Sequence, residues 1–372
     1  MAKNGNLNAA GRAKKDEFYT QLTDIEKEMR YYRKHFKGKT VLCNCDDPFE
    51  SNFFKYFVLN FNKLKLKKLI ATCYSSSPIA GEQLSLLDVN GDDGSTRNKP
   101  YKAIVTTVHD ADGNGGIDMT DIAELFRNGE NKLTELEGDG DFRSPECLAL
   151  MNEADIVVTN PPFSLFREYV KVLMERKKKF IIIGNQNAIT YKEVFQLLMS
   201  DRMWMGSTAP KEFIIPKNME DRKNTYIRED GTIIAKFGNV CWFTNLDLKQ
   251  RHEELILVKR YSEDEYPHYD NYDAIEVSRT NLIPCDYAGI MGVPITFFDC
   301  YNPDQFEILD MGHRGAGSYK YRTKVYTAED AQNYSDLNAT TVYIDANGKY
   351  KNTYFRVLIR NKHPEQPKEV QP

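Results

Sequence analysis

The chain has 372 residues, enough for two domains or for one large domain with insertions. With 41% hydrophobic and 28% charged residues it reads as globular rather than disordered, and no apolar run approaches the roughly 20 residues of a bilayer span. Its net charge of −4 excludes a uniformly basic nucleic-acid binder, so any affinity for phosphate has to come from local stripes of charge.

Seven cysteines are scattered, with Cys43 and Cys45 one residue apart and no CxxC pair. Six histidines show no ligand spacing either. No metal site is expected, and the thiols read as reduced core residues. Residues 1–15 are polar and lack the apolar stretch of a secretory signal, which predicts a flexible N-terminus and a cytoplasmic address.

Phe18, Leu22, Ile25 and Met29 recur at helical spacing, predicting a helix over 16–36 that Gly38 ends. Residues 40–45 read as a first strand, followed by the tight turn Asp46-Asp47-Pro48-Phe49. A helix is expected over 51–59 and a second strand over 68–73. Alternation of strands and helices predicts an α/β fold with a mostly parallel central sheet and right-handed crossovers. A polar insertion spans 81–137, with its own strand at 101–108 and a Gly-rich turn at 112–116. A helix starts near Pro145, a β-branched strand fills 155–159, and a helix covers 165–177. Further strands are expected at 179–184 and 237–243, around a helix at 191–199. Beyond about residue 245 this rhythm stops, so 16–245 reads as one domain and 246–372 as a smaller C-terminal module.

Three places carry candidate chemistry. The Asp46–Phe49 turn ends a parallel strand, where α/β sheets bind nucleotide-like ligands; it equally suits the start of a helix. Residues 138–142 place Asp141 and Phe142 beside glycines that let a backbone approach a ligand. Asn160-Pro161-Pro162-Phe163 is the most specific. Two prolines stiffen this turn, the Asn160 amide and the Pro161 backbone carbonyl offer acceptors, and Phe163 offers a stacking face. Such a turn could grip the amino group of a planar base and aim its lone pair at an electrophile.

These segments, in this order, resemble the EcoRI-type adenine-specific DNA methyltransferases, with the gamma arrangement of motifs. The resemblance rests on residues 16–20, 45–51, 138–142, 160–164 and 184–187 and covers roughly 14–360. It implies a Rossmann-like class I methyltransferase fold with a C-terminal target-recognition module. Phe18, Tyr19 and Thr20, the loop Asp46, Asp47, Pro48 and Phe49, and the pair Asp141 and Phe142 would hold S-adenosylmethionine. Asn160, Pro161, Pro162 and Phe163 would be catalytic.

Two departures stand out. Glu50-Ser51-Asn52 replaces the family's GxG, and Cys73-Tyr74-Ser75 stands where an acid normally binds the ribose. The implied reaction is methyl transfer to N6 of an adenine flipped out of double-stranded DNA. Trp242-Phe243 would offer a second aromatic surface for that base, unless both are core residues. Residues 312–320 would form a flexible loop that folds on DNA, with Arg314 reading guanine and Lys320, Arg322 and Lys324 meeting phosphates. The host is expected to be a bacterial, archaeal or phage-infected cell, with no membrane or metal partner. A restriction endonuclease would act alongside without stable binding. Two other readings stay open: a methyltransferase acting on RNA or protein glutamine, and a non-catalytic nucleic-acid-binding protein of the same fold.

Overall fold

A computed structural model describes residues 19–45, 51–73, 100–127, 129–215, 224–330, 334 and 336–366. Phe18, Asp46, Asp47, Pro48, Phe49, residues 1–15 and the first part of the 81–137 segment lie outside the described residues. The chain packs as two units, 1–186 with 206–246, and 187–205 with 247–372. Residues 191–199, which the sequence groups with the first domain, belong to the second unit.

The first unit opens with β1 (Tyr19–Thr20), α1 (Leu22–Met29) and α2 (Arg33–Phe36). The single helix expected over 16–36 is therefore split. Tyr19 and Thr20 pair antiparallel with Ile214 and Phe213, a contact too distant in sequence for periodicity to register. Glu28 lies on the buried face of α1 and accepts hydrogen bonds from the Tyr32 hydroxyl (2.8 Å) and the Ser207 and Thr208 backbone N–H groups (2.9 and 2.7 Å). Burial pushes its carboxyl above the usual range, and these donors only partly offset that.

Gly38, at φ +70°, turns the chain into β2 (Thr40–Cys43). Next come α3 (Asn52–Leu59), capped by the Ser51 hydroxyl accepting from Phe53 N–H, α4 (Phe61–Leu64) and β3 (Lys68–Thr72). β4 (Tyr101–Val105), α5 (Met119–Glu124) and β5 (Lys132–Glu135) follow. α6 (Pro145–Glu153) starts with proline at its first position and Ser144 as cap. β6 (Ile156–Thr159), α7 (Phe166–Glu175) and β7 (Lys179–Asn185) complete the alternation. The second unit then contributes α8 (Lys192–Met199) and β8 (Trp204–Met205). β9 (Glu212–Ile214), β10 (Thr225–Ile227), β11 (Ile233–Lys236) and β12 (Val240–Thr244) return to the first unit.

Within this unit the large sheet runs β5-β4-β3-β2-β6-β7-β12. β3, β2, β6 and β7 are parallel neighbours. β12 runs antiparallel to β7, β4 antiparallel to β3, and β5 antiparallel to β4. The sheet is thus mixed, parallel at its centre only, which corrects the mostly parallel expectation. The 81–137 segment does not stand apart: its strands extend the sheet edge. β2 and β6 are buried at every position, as central strands covered on both faces must be. β1, β9, β11 and β10 form a second, antiparallel sheet.

The second unit holds β13 (Ile275–Glu276), β14 (Met291–Pro294), β15 (Phe306–Met311), β16 (Val342–Ile344), β17 (Tyr350–Asn352) and β18 (Arg356–Asn361). Four of these form a sheet in the order β13-β14-β18-β15, and β16 and β17 a hairpin. Arg356 pairs with buried Glu276 at 2.7 Å inside this unit. Among the described residues no helix is long and apolar enough to cross a membrane.

Candidate active site

Thr159 ends β6 and Asn160 follows at once, so the Asn-Pro-Pro-Phe turn stands at the carboxyl end of a central parallel strand. Asn160 is 6% exposed and Pro161 is buried, while Pro162 and Phe163 are half-buried. Pro162 leads into a 3-10 turn, Phe163–Leu165, closed by the Leu165 N–H donating to the Pro162 carbonyl at 2.9 Å. The prolines supply no N–H and fix φ, which is why the strand stops here.

Three side chains brace this turn against the neighbouring strand end. The Thr159 hydroxyl donates to the Asn44 backbone carbonyl. The Tyr169 hydroxyl, on α7, donates to Asn44 Oδ1 at 2.5 Å. Tyr169 is fully buried, and burial pushes its phenol well above the usual range, so it stays a donor. Phe142 packs edge-on against the Tyr169 ring, centroids 4.9 Å apart. Asn44 sits just after β2 and is 3% exposed.

On the same unit, the Asn52 side-chain amide donates to the Thr20 backbone carbonyl at 2.7 Å. Tyr19-Thr20 is therefore tied to the start of α3. Thr20 Oγ1 and Asn44 Nδ2 are buried polar atoms with no hydrogen-bond partner among the described residues. Buried polar groups are nearly always bonded, so both fit a ligand that brings its own donors and acceptors.

Asp141 is held by a neighbouring arginine. Arg143 donates to both of its carboxylate oxygens, at 2.9 and 2.6 Å, and reaches Glu168 at 2.8 Å. Burial pushes the Asp141 carboxyl up, but hydrogen bonds and charge from Arg143 outweigh it, and its pKa lies below the usual range. A carboxylate has about four lone-pair sites, so acceptor capacity remains. Trp242 and Phe243 are fully buried, packed edge-on against Phe53 and tilted against Phe166. They are core residues of β12 and offer no face to a base.

In the second unit, hydrogen bonds tie residues 312–320 to the strand before them and to one another. Asp310 accepts from Ser318 N–H and hydroxyl at 2.8 and 2.6 Å, and the Tyr319 hydroxyl donates to the Arg314 carbonyl at 2.5 Å. Arg314 and Lys320 are exposed. Arg314 also lines a cavity of about 450 Å³ with His313, Asp336, Thr340 and Asn352. Arg322 and Lys324 are half-buried and internally engaged, Arg322 with Asn338 at 2.5 Å and Lys324 with Asp270 at 2.7 Å.

Sequence reasoning missed Asn44, Tyr169 and Arg143. The one trace of Asn44 in the sequence is an amide at the end of an otherwise apolar strand; Tyr169 and Arg143 leave no local mark.

No solved structure matches the chain significantly. The family described as adenine-specific methyltransferase EcoRI matches residues 6–362. The type II methyltransferase M.EcoRI of Escherichia coli is 42% identical over 97% of this chain and 99% of its own length. M.MpnI of Mycoplasma pneumoniae is 34% identical over 96% of the chain and 98% of its own. A third relative, M.MgeORF184P of Mycoplasma genitalium, is 35% identical over 82% and 85%. With the family match running nearly end to end and a relative 42% identical over 97% of the chain, the chain belongs to the EcoRI family of adenine-specific methyltransferases.

Proposed function

We propose that the chain methylates N6 of adenine in double-stranded DNA, using S-adenosylmethionine, through a Rossmann-like catalytic unit. The observation that carries this reading is the Asn160–Phe163 turn at a parallel strand end, joined to Asn44 on the adjacent strand by Thr159 and Tyr169. Neighbouring carboxyl ends in such sheets are where nucleotide-like ligands lie. Bound there, S-adenosylmethionine supplies an electrophilic methyl group on sulfur. Tyr19, Thr20, Asn44, Phe142 and the Asp46–Phe49 loop hold it, with Thr20 Oγ1 and Asn44 Nδ2 supplying buried polar contacts.

The adenine amino nitrogen is a weak nucleophile because its lone pair is delocalised into the ring. Asn160 Oδ1 and the Pro161 carbonyl accept its two N–H bonds and turn the lone pair toward the methyl donor. Half-buried Phe163 stacks on the base, which has to leave the helix to reach this turn. Arg143 holds Asp141, so Asp141 meets the cofactor with an oriented carboxylate. The unit formed by 187–205 and 247–372 reads the DNA target, with Arg314 and Lys320 facing the duplex. Arg322 and Lys324 hold that surface together instead of meeting phosphates. The enzyme acts in the cytoplasm of a bacterial, archaeal or phage-infected cell, beside a restriction endonuclease.

The test is incubation with labelled S-adenosylmethionine and mixed-sequence duplex DNA, followed by nucleoside analysis. N6-methyladenine is the expected product. Label found only on cytosine, RNA or protein overturns the reading.

A further inference from the structure

The connection between β4 and β5 has no part in methyl transfer as derived above. From Asp110 to Asp121 it reads Asp-Ala-Asp-Gly-Asn-Gly-Gly-Ile-Asp-Met-Thr-Asp. Counted from Asp110, aspartate or asparagine falls at positions 1, 3, 5, 9 and 12, glycine at 6 and isoleucine at 8. This is the order of an EF-hand calcium loop. There positions 1, 3 and 5 give side-chain oxygens, 7 a backbone carbonyl, 9 often a water-mediated contact and 12 an acid, with glycine at 6 for a sharp turn. The one departure is aspartate for glutamate at position 12, one methylene shorter.

The folded segment follows that order. Carboxylate oxygens of Asp110, Asp112 and Asp121 lie within 4.8 Å of one another. Gly115, at position 6, has φ +96°, a conformation that favours glycine. The Asp110 carboxylate accepts from the N–H groups of Gly113 (2.7 Å), Asn114 (3.1 Å) and Gly115 (2.7 Å), curling the loop around it. Asp121 belongs to α5, so a helix holds position 12. Asn131 closes the base, accepting from Thr106 N–H and donating to the Thr107 and Leu125 carbonyls, all at 2.9 Å.

Charge separates this loop from an ordinary acidic turn. Residues 110–121 carry four aspartates and no lysine, arginine or histidine. Among the described residues none of the four forms an ion pair; the nearest bases in sequence, His109 and Arg127, pair with Glu130 and Glu124. Asp121 is only 2% exposed; its two oxygens accept from the Ala111 and Asp118 N–H groups at 2.6 and 2.8 Å, and it converges with two other carboxylates without a cationic side chain. Three carboxylates held this close repel one another, and a divalent cation at the convergence point removes that cost. The Asn114 amide nitrogen lies between Asp112 and Asp118 oxygens, at 3.0 and 2.9 Å; a half-turn of the amide gives up the Gly116 N–H bond to its oxygen, at 3.0 Å, and brings that oxygen to the same place.

We propose that residues 110–121 bind calcium, with Asp110, Asp112 and Asp121 carboxylates, the Asn114 amide oxygen and the Gly116 carbonyl as ligands. The expectation of no metal rested on cysteine and histidine spacing, which is blind to oxygen ligands. The bound ion fixes the connection between the two edge strands, and its presence does not depend on the substrate assigned above.

Full-length protein, stripped with chelator and desalted, is titrated with calcium chloride by calorimetry in excess magnesium. One calcium per chain is expected, with Kd of about 1 mM or tighter. Asp112→Asn, an exposed position, and Asp110→Asn should each weaken binding about tenfold or more while circular dichroism stays native. Three results overturn the proposal: no calcium uptake by the native chain, uptake unchanged in both variants, or magnesium displacing calcium at equal concentration.

Discussion

In the proposed mechanism Asn160 supplies one of two acceptors for the reacting amine, and its replacement separates binding from chemistry. Asn160→Ala is expected to lower turnover about 100-fold or more, as loss of one well-aimed polar group commonly does, while calorimetric affinity for S-adenosylmethionine stays unchanged. Near-normal turnover would remove Asn160 from the mechanism. This residue was legible because its signal is local: four consecutive residues after a β-branched strand. Asn44 and Tyr169 were not, because their hydrogen bonds link positions 115 and 125 residues apart. Trp242-Phe243 shows the converse error. An aromatic pair suggests a stacking platform, but in a strand flanked by Phe53 and Phe166 it is core.

At the scale of elements, β7 and α7 meet at a glycine. A Cβ on Gly184 would lie 2.4 Å from Cε2 of Phe166, three residues past Phe163 of the proposed catalytic turn. Neither the backbone of a buried strand nor a core ring yields easily, so Gly184→Ala should cost about 1–3 kcal/mol in urea unfolding. It should also lower turnover by shifting α7 and the turn before it; native stability and rate would show that the ring simply swings aside. Central strands were readable because burial on both faces demands unbroken apolar runs, as in β2 and β6. The antiparallel direction of β4, β5 and β12 was not, since a strand's residues look alike whichever way it runs. The break between β1 and α1 was hidden for a related reason: Thr20 takes its strand partner from Phe213.

For the whole molecule, charge placement yields two measurements. Arg314→Ala should weaken duplex binding or relax target preference by about 1–3 kcal/mol, read by gel shift on matched and mismatched sites. Unchanged binding would return residues 312–320 to a purely structural role. His252 sits between Asp304 and Asp247 at 2.6 and 3.0 Å, and these hydrogen bonds raise its pKa. Its contribution is therefore full below the unfolded value of about 6.5 and is lost as pH rises through the raised folded value. His252→Gln should lower stability at pH 6 by less than about 1 kcal/mol, because the side chain is 39% exposed, and by a vanishing amount at pH 9. Equal losses at both pH values would refute the ionic account.

The second unit is discontinuous in sequence, because 187–205 joins it across the whole of 206–246. α8 buries Val194, Phe195 and Leu198, and Phe195 meets Phe298 within that unit at 6.5 Å between ring centres. On the ribosome, α8 emerges about 100 residues before that partner, at ordinary elongation rates of about 5–20 residues per second. For that interval Phe195 lacks the Phe298 ring. A chain ended at residue 246 would lack that ring permanently, so one cut there leaves 187–205 behind without the rest of its unit. Excising 187–205 as well, with a short linker in its place, is the dissection that respects how the chain is threaded.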